Sequence, residues 1–274
     1  MKRIGIIGHG NMGSAIAQRL QSSYQLFVFD KDRYKTARAR GIEIVGSAVE
    51  AVSKSEGVIL AVKPQDCSNV LREIKDSAGD TLIISIAAGI PTSEIEKILG
   101  PVRVIRAMPN IGITIKEAES GVCAGKYAQG NDLANARAIF GYMGQTWVIE
   151  EAMMDAMTAI SGSGPAYIFY DMETQKIDPD NVPKKLEAEY ARRLQLAARA
   201  VGFDDMTAMN LSASVTRTSL HLPVKTGMPP SQLRAQVTSK GGTTEAALQI
   251  LAQGGTWTEA ALSAVQRAKE LARG

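Results

Sequence analysis

Histidine and cysteine are nearly missing from this chain: His9 and His221, Cys67 and Cys123, are the only ones among 274 residues. Residues this few, with no ligand-like spacing, make no metal cluster, so no metal is expected. The cysteines read as buried small hydrophobes rather than a disulfide. No apolar run reaches the roughly 18 residues that a membrane-spanning helix requires. The chain enters a strand by residue 3 and leaves no room for a signal or transit peptide, so a cytoplasmic protein is expected. Lysine and arginine gather into no run and the formal charge is only +3, which gives no argument for nucleic acid or an anionic membrane.

What is present begins at once. Ile4, Ile6 and Ile7 form a short β-branched strand, and Gly8-His9-Gly10-Asn11-Met12-Gly13 follows as G-x-G-x-x-G before a helical stretch from Ser14 to Leu20. Gly8 permits the tight turn, Gly10 lets the backbone approach a pyrophosphate, and Gly13 lets the helix lie close to the strand. A second strand, Gln25 to Phe29, ends at Asp30, 22 residues beyond Gly8. A carboxylate there is placed to accept from an adenosine ribose hydroxyl, and Lys31 and Arg33 lie close enough to offset its repulsion of a 2′-phosphate. The stretch predicts a dinucleotide site.

Strand and helix signals then alternate: a helix over Asp32 to Arg40, a strand at Glu43 to Val45, and a capping box from Ser47 to Glu50. The run Gly57 to Val62 reads as a parallel strand buried on both faces and stopped by Lys63-Pro64. Further strands are predicted at Thr81 to Ile86 and Val102 to Ala107, around a helix from Pro91-Thr92 to Gly100. The loops after them, Ala87-Ala88-Gly89 and Met108-Pro109-Asn110, belong at the same sheet edge as the glycine turn. Short apolar pieces at Gly121 to Ala124 and Thr146 to Ile149, around a helix from Asp132 to Tyr142, fall at the far edge. The fold class is therefore α/β, a Rossmann-type doubly wound sheet over 1–158, followed by an all-α unit over 159–274. Two helical stripes mark that unit: Leu186, Tyr190, Leu194, Ala197, Val201, and Met206, Met209, Ala213, Thr216, Leu220. A helical unit of this size, rich in Ala and Met, is expected to complete its core against a second copy, as a homodimer.

One segment of the helical third does not look like packing. In Leu233-Arg-Ala-Gln-Val-Thr-Ser-Lys-Gly-Gly-Thr-Thr244 a glycine pair and two threonines stand at a helix entrance, which collects free N–H groups, positive dipole and hydroxyls in one place. The residues alone allow a carboxylate trap or simply a capped helix start. With Ser161-Gly-Ser-Gly-Pro-Ala-Tyr167, Ala61-Val-Lys-Pro64, Arg106 to Asn110 and Ala87 to Gly89, these words resemble those of the pyrroline-5-carboxylate reductases over nearly the whole chain.

The resemblance implies a Rossmann domain joined to a helical dimerisation domain, often in a ring of dimers, and reduction by NADPH or NADH of the cyclic imine 1-pyrroline-5-carboxylate to L-proline, the last step of proline biosynthesis. Carried over, it puts Gly8, Gly10, Asn11, Met12 and Gly13 at the pyrophosphate, and Val62, Lys63, Pro64 and Ala88 beside the ribose and nicotinamide. It puts the substrate carboxylate on the N–H groups around Gly242 and Thr243, Ser239 and Gln236 in the pocket wall, and the Thr244 hydroxyl at the imine nitrogen. The chain departs from the pattern twice. Asn110 is followed by Ile111-Gly112 where the family commonly has Thr-Pro, and extra residues lie between Tyr170 and Val201. These include the turn Ile177 to Pro183 and a helix bearing Lys184, Lys185, Arg192 and Arg193, expected to be a solvated decoration.

An iminium carbon is already electrophilic, so orientation supplies most of the catalysis and no histidine is required. A β-hydroxyacid dehydrogenase would need a base, and Ile168 stands where that family places its lysine. A reductase of another cyclic imine carboxylate, and a cofactor-binding relative without turnover, remain as alternative readings.

Overall fold

The computed structural model describes residues 1–36 and 41–273, and it divides into two compact units. The first unit comprises Met1–Met108 and Gly121–Glu151, the second Pro109–Ser120 and Ala152–Gly274. Compared with the expected division at 158, seven residues and one internal segment change sides. The segment Pro109–Ser120 belongs to the second unit because its polar groups are satisfied there: Asn110 Nδ2 donates to the Ser161 carbonyl at 3.1 Å, and Glu119 accepts from the Ser214 hydroxyl.

In the first unit the chain runs β1 (Arg3–Ile7), α1 (Asn11–Leu20), β2 (Gln25–Phe29), α2 (Arg33–Thr36 within the described residues), β3 (Glu43–Ile44), α3 (Ala48–Ser53), β4 (Gly57–Leu60), α4 (Pro64–Ala78), β5 (Leu82–Ser85), α5 (Thr92–Leu99), β6 (Val104–Met108), β7 (Ala118–Ala124, in this unit from Gly121 on), α6 (Gly130–Gly141) and β8 (Gly144–Val148). The rest of the helix expected as far as Arg40 lies outside the described residues. The sheet order is β3-β2-β1-β4-β5-β6-β7-β8. Every pair from β3 to β6 is parallel, and β6 meets β7 antiparallel. All four residues of β4 and of β5 are buried, as strands covered on both faces must be. Ile7, Phe27, Val58, Leu60, Leu71, Ile74 and Ile95 join in the core on one side. Prolines set two helix starts, Pro64 as the first residue of α4 and Pro91 as the cap of α5. Ser47 caps α3 by accepting from the Glu50 N–H at 3.0 Å, but Glu50 reaches the Gly46 N–H at 2.8 Å, one residue short of a full capping box.

The second unit is helical: α7 (Met154–Met157), a π-helical turn (Thr158–Gly162), α8 (Gly164–Thr174), α9 (Lys184–Ala200), α10 (Asp205–Thr226), α11 (Pro230–Val237), α12 (Thr243–Ala252) and α13 (Trp257–Arg273). α10 packs on α9, α13 on α12 and α9, and α11 on α8. The first expected stripe is largely core, with Tyr190, Leu194 and Ala197 fully buried. The second divides: Thr216 and Leu220 are buried, whereas Met206 is 64% and Met209 47% exposed and Ala213 is exposed. That exposed apolar run on α10 is the face a second copy would cover.

The extra segment is not merely a solvated decoration. Lys184, Lys185 and Arg192 face solvent, but Tyr190 stacks on Trp257 with ring centroids 5.5 Å apart. Arg193 lies 4.2 Å over the same indole and pairs with Asp171. Aromatic stacking and a cation on a ring face anchor one side of α9 in the core. Among the described residues no helix is long and apolar enough to cross a membrane.

Candidate active site

The parallel register brings three chain ends to one edge, because Ile7 is paired with both Phe29 and Leu60. Gly8, Asp30 and Ala61 therefore leave the sheet side by side. Gly8 adopts φ +102° with its Cα against the Ala61 carbonyl, where a Cβ would fall 2.6 Å from the oxygen. Helix α1 starts at Asn11, three residues earlier than expected, because Gly10 takes extended dihedrals and serves as its cap. No side chain caps it, so the N–H groups of Asn11, Met12 and Gly13 stay open for an external anion at the positive end of the dipole. A Cβ on Gly10 would meet nothing within 4 Å, which leaves the approach to those N–H groups clear.

The cavity at this edge has a volume of about 600 Å³ and is lined by Gly8, Gly10, Asp30, Lys31, Val62 and Lys63 among others. Of the expected cofactor residues, Asn11, Met12 and Gly13 form the first turn of α1 beside it. Pro64, at the start of α4, and Ala88, exposed after β5, are not in its lining. Asp30 is held rigidly: its carboxylate accepts from the His9 N–H at 2.6 Å and the Asp32 N–H at 2.8 Å. Among the described residues, Lys35 forms an ion pair with it, with Nζ 3.7 Å away. Lys31 turns instead to Asp66 on α4, 2.7 Å away. An uncapped helix start, an open glycine and a fixed carboxylate together suit a dinucleotide.

In the second unit, Gly242 caps α12 without a side-chain bond, so the N–H groups of Thr243, Thr244 and Glu245 are likewise open. The preceding loop is clamped. The Gly241 N–H donates to Glu245 at 2.7 Å, its carbonyl accepts from Arg267 at 2.8 Å, and the Gly242 N–H closes on the Ser239 carbonyl at 3.0 Å. The structure thus groups Ser239, Gly242, Thr243 and Thr244. Gln236 is exposed on α11, with its amide 3.2 Å from the Met228 sulfur and, among the described residues, no bond to that group. Thr244 is 5% exposed, and its hydroxyl lies 2.9 Å from that of Ser163. Ser163 is a site residue the sequence did not single out, although the Ser161-to-Pro165 interruption marked its neighbourhood.

The Ile111-Gly112 departure has a local logic. Asn110 Oδ1 accepts from the Gly112 N–H at 3.1 Å and the Glu119 N–H at 3.0 Å, and a proline at 112 would have no N–H to give. Below this loop, burial opposes charge on Glu117, but Lys225 and His221 outweigh it and hold its carboxyl below the usual glutamate range. His221 is thereby a partner of Glu117 at 2.8 Å. Burial raises the thiols of Cys67 and Cys123 to about 11 and about 12, which removes them as nucleophiles near neutral pH. Ile168 is fully buried and offers no base for alcohol oxidation.

The family model for pyrroline-5-carboxylate reductase dimerisation matches residues 187–273, and the model described as NADP oxidoreductase coenzyme F420-dependent matches residues 3–89. The chain is 35% identical over 290 aligned positions to the pyrroline-5-carboxylate reductase of Methanosarcina acetivorans, covering 99% of this chain and 98% of the relative. It is 32% identical to that of Pseudomonas aeruginosa, with 98% and 97% covered. A solved pyrroline-5-carboxylate reductase from Coxiella burnetii superposes with a TM-score of 0.65 at 31% identity, over 99% of this chain and 98% of that one.

Proposed function

The chain belongs to the pyrroline-5-carboxylate reductase family, and from that premise we propose that it reduces 1-pyrroline-5-carboxylate to L-proline at the expense of NADPH or NADH. The observation that carries this reading to the residues is the uncapped start of α12, with open N–H groups and the Thr244 hydroxyl in one place. The N–H groups of Thr243 and its neighbours bind the substrate carboxylate, Ser239 lines the pocket, and Thr244 meets the imine nitrogen. Gln236 belongs to the same proposal as a wall residue.

Gly8, Gly10, Asn11, Met12 and Gly13 hold the pyrophosphate, Asp30 the adenosine ribose, and Val62, Lys63, Pro64 and Ala88 border the ribose and nicotinamide. Bound NAD(P)H supplies the hydride. The protein binds the carboxylate, fixes the ring and keeps a hydrogen bond on nitrogen, which is sufficient for an electrophile as reactive as an imine. The enzyme is a homodimer, and its exposed Met206-Met209-Ala213 run fits that assembly. A cytoplasmic setting is part of the proposal, in keeping with two free buried cysteines.

A substrate panel tests it. Steady-state NAD(P)H oxidation is expected with 1-pyrroline-5-carboxylate, more slowly with its six-membered homologue, and hardly at all with the uncarboxylated five-membered imine. Equal turnover of the last compound would remove the carboxylate trap. Turnover of the homologue alone would move the assignment to another cyclic imine, and no turnover of any would favour a non-catalytic relative.

A further inference from the structure

We propose that the ion pair between Lys31 and Asp66 sets which dinucleotide the cavity takes: by holding the Lys31 ammonium on α4, Asp66 makes the site selective for NADH over NADPH. The inference rests on the assignment of the adenosine ribose to Asp30.

The groups concerned all belong to the first unit and line one cavity: Asp30 and Lys31 just after β2, Lys35 on α2, and Asp66 in the first turn of α4. Asp30 is buried and cannot turn away from what is seated beside it, because Oδ2 accepts from the His9 N–H at 2.6 Å and Oδ1 from the Asp32 N–H at 2.8 Å. Lys31 follows it directly in the chain. Its ammonium nevertheless donates to Asp66 Oδ1 at 2.7 Å, so the cation that the sequence offers against a 2′-phosphate is directed at α4.

Charge then separates the two cofactors. Among the described residues the cavity wall carries the acids Asp30, Asp66 and Glu73 against the cations Lys31, Lys35 and Lys63, and two of those lysines are already paired, Lys35 with Asp30 and Lys31 with Asp66. NADH presents a free 2′-hydroxyl that donates to a fixed carboxylate. NADPH presents a phosphomonoester there instead, with about two negative charges at neutral pH. For Lys31 to meet that phosphate it must leave Asp66, and the carboxylate it leaves then stands unpaired near the incoming anion.

Asp66 thus acts as a positioning residue, through Lys31 and without a contact to the 2′-hydroxyl of its own. Selectivity is a difference of two affinities, and the pair works on the unwanted one. The side chains of Lys31 and Asp66 are 73% and 31% exposed, so the pair adds little to stability and its carboxylate can be neutralised without loss of the fold.

Titration of the intact protein with NADH and with NADPH, followed by nicotinamide fluorescence at low salt and without imine, reads the preference apart from turnover. Wild type is expected to bind NADH more tightly. Asp66→Asn frees Lys31 and should raise the affinity for NADPH relative to NADH by about fivefold, whereas Asp66→Glu, which keeps the charge, should hold the wild-type ratio. Adding Lys31→Met to Asp66→Asn should remove the gain. A purely structural role for the pair would weaken both dinucleotides in parallel. That result, a wild type that favours NADPH, a ratio unmoved by Asp66→Asn, or a gain that survives Lys31→Met overturns the proposal. The underlying assignment is read separately with Asp30→Asn: NADH affinity should fall, and if it does not, the ribose is not at Asp30 and the proposal falls with it. Selective NADH binding without imine reduction would contradict the reductase reading and leave the role of the pair in place.

Discussion

Thr244→Val is expected to lower kcat/KM for the cyclic imine by roughly one to two orders of magnitude, the effect of about 1.5 to 3 kcal/mol for one positioned hydrogen bond to a charged centre. Valine keeps the volume and β-branching of a side chain that is 5% exposed, so the fold should survive. Cofactor affinity should also be kept, since the residues assigned to the dinucleotide lie in the first unit. Thr243→Val should cost much less, because the contribution assigned to residue 243 is its backbone N–H, which the substitution leaves intact. Steady-state kinetics on both variants, with NAD(P)H titrated by fluorescence, reads the contrast. A crippled Thr243→Val beside a normal Thr244→Val would reverse the two roles and shift the assignment at the helix entrance by one residue.

Two alanine substitutions in the glycine turn should fail in different ways. A Cβ at Gly13 would lie 2.0 Å from the Gly8 carbonyl oxygen and 3.2 Å from the Ala61 Cβ, so α1 has to move away from the strand. Gly13→Ala is expected to cost about 3 kcal/mol or more of stability, the upper range for overpacking against backbone. Gly10→Ala meets nothing within 4 Å, and its φ of −77° suits alanine. That variant should melt close to wild type, yet lose NAD(P)H affinity by about tenfold or more, because the methyl group stands where the pyrophosphate approaches the helix start. Thermal melts and cofactor titrations distinguish the two. Unchanged affinity in Gly10→Ala would mean that the phosphates do not approach there.

Local signals were legible, and contacts across long separations were not. The glycine turn, Asp30 and the strands through β6 could be read because each is set by neighbouring residues: β-branched runs, Pro64 and Pro91 at helix starts, glycines at turns. β7 starts at Ala118, three residues earlier than its apolar piece, because Glu119 and Ser120 are polar yet buried. One group that Glu119 finds inside, the Ser214 hydroxyl, lies 95 residues away. The inner face of α9 was hidden for the same reason, since what makes Tyr190 and Arg193 core residues is Trp257, far along the chain. Thr244 could be assigned from its helix entrance and from the resemblance, but Ser163, 81 residues earlier, is joined to it only by the fold. The exposed methionines of α10 were readable as a stripe, though not as a division between inward and outward halves.

Hydride transfer to the imine carbon of 1-pyrroline-5-carboxylate is tested most directly with NAD(P)H deuterated at the transferring face of C4 and NMR of the product. The expected product is L-proline carrying one deuterium on the ring carbon next to nitrogen and away from the carboxylate-bearing carbon. Oxidation of the labelled cofactor without deuterated proline, or proline labelled at any other carbon, would contradict it.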